Sequence, residues 1–178
     1  MNLAIVGGGE LAQAVDTAVQ DQYTVTTFGR GHTDLVQKSQ CDQLATQLMT
    51  FDNILFTAGA YNTDLWDMWA VNTVAPCYLV SQLVNNNYTG HVIVVSSHAA
   101  NWTSWHGIDV NRLTYNNSKH AVSNFVKGVQ QSNVVGRYSL LEPGRFQSRM
   151  GGDSGHTLQT VVDAVKFLLT HPTRSITV

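Results

Sequence analysis

Short apolar runs alternate along this chain with segments in which apolar residues recur at three- and four-residue spacing. The β-branched runs predict strands near 2–6, 23–28, 53–57, 91–96, 137–141 and 175–178, and a short extended piece near 33–36 is a further candidate. The helical period predicts helices over 10–20, 37–49, 63–86, 111–131 and 157–170. Val92-Ile93-Val94-Val95 is apolar at every position. A strand with one wet face alternates, so a continuous run predicts a strand covered on both faces, as in a parallel sheet. Strand and helix alternate throughout, which predicts one α/β domain over residues 1–178 with a doubly wound parallel sheet. Ligands of such sheets bind beyond the carboxyl ends of the strands, where the strand order reverses.

The turn after the first strand is Gly7-Gly8-Gly9-Glu10-Leu11-Ala12. Gly7, Gly9 and Ala12 fit the G-x-G-x-x-G/A pattern of a dinucleotide site, placed between a first strand and a first helix as that pattern requires. Glycines let the backbone turn tightly and let a pyrophosphate reach the helix N-terminus, where unpaired N–H groups and the dipole favour an anion. Gly7, Gly9, Glu10 and Leu11 are therefore cofactor-binding candidates in a Rossmann fold; a merely flexible turn is the plainer alternative. The second strand ends in Gly29-Arg30. An acidic residue at this strand end accepts a bond from a ribose 2′-hydroxyl and favours NAD; a guanidinium suits a 2′-phosphate. Arg30 thus favours NADP(H) over NAD(H), against the reading of a solvated loop charge.

Tyr115 and Lys119 lie four apart in a predicted helix, on one face. A phenol ionises near pH ~10. A fixed ammonium beside it draws that value toward neutrality and makes the tyrosine a proton donor and acceptor at physiological pH. A surface tyrosine packed on a lysine stem is the bland reading of the same pair.

Composition narrows the partners. The chain has 178 residues, a formal net charge of −2 and 12% charged residues. The charged share is about half the usual one, and no basic stripe suits nucleic acid or an anionic membrane. Cys41 and Cys77 are too few for a disulfide framework or zinc site, and the seven His are scattered, so no metal is expected. No leader precedes the first strand and no run is long enough to span a membrane, so a cytoplasmic protein is expected.

Together these residues resemble the short-chain dehydrogenase/reductase family, in order and over nearly the whole chain. Asp34-Leu35 resembles the Asp-Val pair that meets the adenine. Thr57-Ala58-Gly59 resembles the Asn-Ala-Gly motif. Asn72 sits where the family's catalytic Asn bends a helix, and Ser97 corresponds to its catalytic Ser. Tyr115 and Lys119 stand as the family's Tyr-x-x-x-Lys. Pro143-Gly144, with Phe146 and Ser148, resembles the Pro-Gly-x-x-x-Thr segment closing over the nicotinamide. The resemblance implies an oxidoreductase that moves hydride between NAD(P)(H) and a small-molecule carbonyl or alcohol. Tyr115 is then the general acid/base, and Lys119 its modulator and ribose ligand. Ser97 holds the substrate oxygen, and Asn72 positions a water linking Lys119 to solvent.

The sequence also departs from the family pattern. Val6-Gly7 replaces the usual Thr-Gly. Between Arg30 and Asp34 there is no room for the second crossover helix, which predicts a more open adenine side. The segment after Ser148 is too short for the usual substrate-covering helices, and the usual tail after the last strand is missing. A shortened lid fits a small or loosely held substrate, a pocket completed by a partner, or a dinucleotide-binding sensor without redox activity. Residues 98–107 carry Trp102, Trp105, His98 and His106, which fit an aromatic wall for a flat pteridine or quinone, or simple loop packing. Trp66 and Trp69 read as a core or interface stripe. Arg145 and Arg149 fall beside the expected nicotinamide, where they suit a phosphate, an anionic substrate or plain solvent exposure. A homodimer is expected, with Leu79, Leu83, Phe125 and Val129 feeding its interface.

Overall fold

The computed structural model describes residues 1–61, 64–101, 109–148, 152–153, 155–172 and 175–178. In chain order the elements are β1 (Asn2–Val6), α1 (Glu10–Val19), β2 (Thr24–Phe28), α2 (Lys38–Leu48), β3 (Asn53–Phe56), α3 (Leu65–Trp69), a π-helical turn (Ala70–Val74), α4 (Ala75–Asn85), β4 (His91–Val95), a 3₁₀ turn (His98–Asn101), α5 (Val110–Gln131), β5 (Arg137–Glu142), α6 (Leu158–Thr170) and β6 (Ser175–Thr177). All six strands run parallel in the order β2-β1-β3-β4-β5-β6. The order reverses between β1 and β3, so the switch point lies over their carboxyl ends.

The period-2 alternation of the strands divides the core. Ala4, Val6, Ile54, Phe56, Val92, Val94, Tyr138 and Leu140 pack under α2, α4 and α5. Leu3, Ile5, Leu55, Ile93, Val95 and Leu141 pack under α1 and α6. Every residue of β3 and β4 is buried, the polar Asn53 and His91 at their starts included, and the apolar runs 54–56 and 92–95 fit strands covered on both faces. Three helices begin on side-chain caps: Asp64, Asp109 and Thr157 accept N–H bonds from the first turns of α3, α5 and α6. Among the described residues no helix is long and apolar enough to cross a membrane, and no three His, Cys, Asp or Glu side chains converge as metal ligands.

Three sequence expectations need correction. Residues 33–36 form a turn, not a strand. The Asp34 carboxylate accepts the Val36 N–H at 3.1 Å, and the Asp34 N–H donates to Gln40 Oε1 at 2.6 Å, so local side chains satisfy groups that a ladder would have used. Nor is the stretch 63–86 one helix. It passes from α3 through the π turn into α4, with the Ala75 N–H reaching back five residues to the Ala70 carbonyl. Pro76 has no N–H for the Asn72 carbonyl in the ordinary register, which favours this slip at Asn72. Finally, Leu79 and Leu83 are fully buried within the chain, and Phe125 and Val129 pack against the same core cluster. The first two cannot supply a dimer face.

Candidate active site

The end of β1 meets the end of β3 through backbone. The N–H groups of Thr57 and Ala58 both donate to the Val6 carbonyl at 2.9 Å, and Gly7 N–H donates to the Phe28 carbonyl at 2.9 Å. Gly7 has φ +134°, and a Cβ there would stand 2.5 Å from Thr57 Oγ1 and 2.7 Å from Ala58 N. Only glycine fits so close a passage. Gly9 caps α1 with no side-chain bond, and a Cβ on it would meet nothing within 4 Å. The N-terminus of α1 therefore has no capping side chain and opens at Gly9 onto free space, a ready anion cradle.

Above this point lies a cleft of about 500 Å³. Gly7, Gly9, Glu10 and Leu11 line one part of it, with Thr57, Ala58 and Gly59 beside them. Arg30, Asp34 and Leu35 line the outer end. Tyr115, Lys119, Phe146 and Ser148 line the other. Most of the sequence-assigned positions are thus brought to one cavity. Ser97, Pro143 and Gly144 are not among its lining residues: the Pro143 carbonyl accepts the His98 N–H at 2.8 Å, and Gly144 N–H bonds the Val178 carbonyl. Arg149, Trp102, Trp105 and His106 lie outside the described residues. Sequence reasoning missed Gly8, Phe28, Val71, Val95 and Ser96, which also line the cleft. Each is a chain neighbour of an assigned residue or the last residue of a strand, and that adjacency was the available signal.

Lys119 is buried, with its ammonium donating to the Val95 carbonyl at 3.3 Å. Burial pulls its pKa from the ordinary 10.5 down to about 8. Between those values the unfolded chain holds a proton that the folded chain has released, so stability rises with pH across this window. Below about pH 8 both states are protonated and the cost of the buried charge is constant. Lys119→Met should flatten the dependence of unfolding free energy on pH between 8 and 10, read by chemical denaturation. Parallel wild-type and variant profiles would show that the lysine is not desolvated in this way.

Tyr115 shares a hydrogen bond with Ser97, and Tyr61 meets its ring edge-to-face at 5.3 Å. The sequence reading expected Lys119 to draw this phenol toward neutrality. Instead burial pushes it above the ordinary value, the Ser97 bond opposing and the nearby Tyr61 adding to the rise. Asn72 is buried away from the large cleft. Its Oδ1 accepts the Ala60 N–H at 2.8 Å, and its Nδ2 donates to the Ala60 carbonyl at 2.9 Å and to Ser118 Oγ at 3.0 Å. Asn72 and Lys119 together line a separate cavity of about 10 Å³, about the room one water needs.

No family model matches the sequence, and no curated protein matches it. Solved structures match it over nearly its full length. The 3-alpha-hydroxysteroid dehydrogenase from Pseudomonas sp. B-0831, complexed with NADH, has a TM-score of 0.79 at 16% identity, covering 100% of this chain and 95% of its own. BdcA in complex with NADPH has 0.78 at 14%, covering 99% and 92%. A short-chain dehydrogenase/reductase from Serratia marcescens BCRC 10948 has 0.77 at 16%, covering 99% and 96%. The chain therefore has the fold of the short-chain dehydrogenases/reductases, a Rossmann-like six-stranded parallel sheet flanked by helices.

Proposed function

We propose that the chain is a nicotinamide-dinucleotide-dependent oxidoreductase of this family that interconverts a carbonyl and an alcohol. The observation that carries the reading is one cleft at the switch point, with a glycine cradle in one part and half-buried Tyr115 and buried Lys119 in another, Ser97 standing beside Tyr115. The residues fit the dinucleotide: Gly9 leaves the space in front of α1 open, and Gly7 lets β1 turn beneath it. Bound there, the nicotinamide supplies or accepts the hydride. Tyr115 moves the proton to or from the substrate oxygen, and Ser97 steadies the charge developing on that oxygen. Lys119 places a cation beside the ribose, and the small cavity next to Asn72 suits a water for proton resupply.

NADP(H) is the favoured form. A Cβ on Gly8 would stand 3.2 Å from the Gly29 Cα, so the β1 turn and the β2 end pass closely. Exposed Arg30 follows at the outer cleft wall, where a 2′-phosphate needs a cation. Fluorescence titration should show tighter binding of NADPH than of NADH. Arg30→Gln should weaken NADPH by roughly tenfold or more and leave NADH nearly unchanged. Equal losses for both would remove the phosphate assignment. Binding without turnover on any carbonyl would favour a dinucleotide sensor, and no binding of either would end the reading.

A further inference from the structure

Glu142 ends β5 in the run Leu140-Leu141-Glu142-Pro143 and is 4% exposed. A glutamate is seldom buried so fully unless it is partnered. The alternation that points Tyr138 and Leu140 toward α5 points Glu142 there as well. On α5 it meets Ser123 and Lys127, spaced four apart in the stripe that begins at Lys119. Ser123 Oγ donates to Glu142 Oε1 at 2.9 Å, and Lys127 Nζ lies 3.5 Å from the carboxylate. Ser123 Oγ is also 2.7 Å from Ser96 Oγ, and Ser96 Oγ lies 3.0 Å from the Lys119 carbonyl as a donor. Ser96 and Ser123 are as buried as the glutamate.

Three members of this chain of polar contacts adjoin parts of the site. Ser96 precedes Ser97. The Lys119 carbonyl belongs to the residue whose ammonium lies in the cleft. Glu142 precedes Pro143 and the segment that carries Phe146 and Ser148 into the cleft wall. The two hydroxyl protons serve two of these three contacts at a time, and such directional polar contacts fix spacing where apolar contacts tolerate sliding. We propose that Glu142 is a positioning residue, which acts through Ser123 and Ser96 to hold Ser97, Lys119 and the 143–148 segment in register around the reacting centre. The inference rests on the oxidoreductase reading for its catalytic effect, but the geometry it asserts is a property of the ligand-free chain.

The test uses Glu142→Met, which keeps size and removes the acceptor, beside Glu142→Gln, which keeps an acceptor oxygen for Ser123. In ligand-free protein, hydrogen exchange of amides in 96–101 and 143–148 should quicken in Glu142→Met, with amides of β1 and α1 unchanged. With NADPH and a turned-over carbonyl, kcat should fall about tenfold with KM within about twofold, because misplacement costs the reaction more than binding. Glu142→Gln should recover most of that loss. If Glu142→Met does not fold, Ser123→Ala carries the same expectations. A folded Glu142→Met or Ser123→Ala with wild-type exchange in both segments, or a Glu142→Gln as impaired as Glu142→Met, would overturn the proposal. Inactive wild-type protein would instead count against the oxidoreductase reading, and the exchange experiment would still decide the role of Glu142.

Discussion

Replacing Tyr115 by Phe is expected to lower turnover by about 10²–10⁴-fold, the usual worth of a positioned proton donor. NADPH affinity should change little. The substitution removes one oxygen and its bond to Ser97 but keeps the ring that Tyr61 meets edge-on, so the wall of the cleft stays in place. The loss should fall in kcat, because the proton is needed as the substrate oxygen changes charge and not when the substrate docks. The pH profile gives a second readout. Burial raises the Tyr115 pKa. Alcohol oxidation requires the phenolate, so its rate should climb with pH into the alkaline range. Carbonyl reduction requires the phenol, so its rate should hold until the phenol ionises. Tyr115→Phe should abolish that pH limb along with the rate. A variant that turns over like wild type would remove Tyr115 from the chemistry and leave the cleft as a binding site only.

Much of this site was legible from sequence because its parts follow strand ends. Once Val92 to Val95 is read as a strand buried on both faces, Ser96 and Ser97 must emerge at its carboxyl end. The same reasoning places Gly7 after β1 and Thr57 after β3. What escaped depends on contacts distant in sequence or on competition within a turn. The residues near 33–36 have an extended pattern, but the Asp34 side chain bonds the backbone two residues on and withdraws it from pairing. Pro76 hinted at a break in the stretch 63–86. The π slip also needs Asn72 to bind Ala60 and Ser118, twelve and forty-six residues away. Leu79 and Leu83 follow a helical stripe that suits a core or an interface equally, and periodicity alone cannot say which.

The sign of the Tyr115 shift illustrates the same limit. Tyr-x-x-x-Lys spacing fixes a shared helix face, but it does not fix the direction of the lysine head. In this structure the ammonium bonds the Val95 carbonyl, and desolvation dominates at the phenol. Tyr61 could not be foreseen as its neighbour either, since it reaches Tyr115 from the loop after β3.

Two glycines of the same turn, Gly7 and Gly9, should fail in different ways. At Gly7, φ is +134° and an added Cβ would strike Thr57 Oγ1 at 2.5 Å and Ala58 N at 2.7 Å. Neither can retreat cheaply, because the N–H groups of Thr57 and Ala58 hold the Val6 carbonyl. The strained backbone costs of order 1–3 kcal/mol, and forced overpacking typically adds another 1–3 kcal/mol. Gly7→Ala should therefore destabilise the fold by several kcal/mol, read as a lower urea midpoint, and lose NADPH binding as a consequence. Gly9 has φ −80° and ψ −176°, which alanine adopts without strain, and its Cβ would meet nothing within 4 Å. Gly9→Ala should leave stability within about 0.5 kcal/mol of wild type. If a pyrophosphate occupies the space before α1, the added methyl intrudes on it, and NADPH affinity should fall at least about tenfold in a fully folded protein. The contrast separates a glycine required by the chain from one required by the ligand. A Gly9→Ala protein that binds NADPH like wild type would place the phosphates elsewhere and detach the glycine turn from the cofactor.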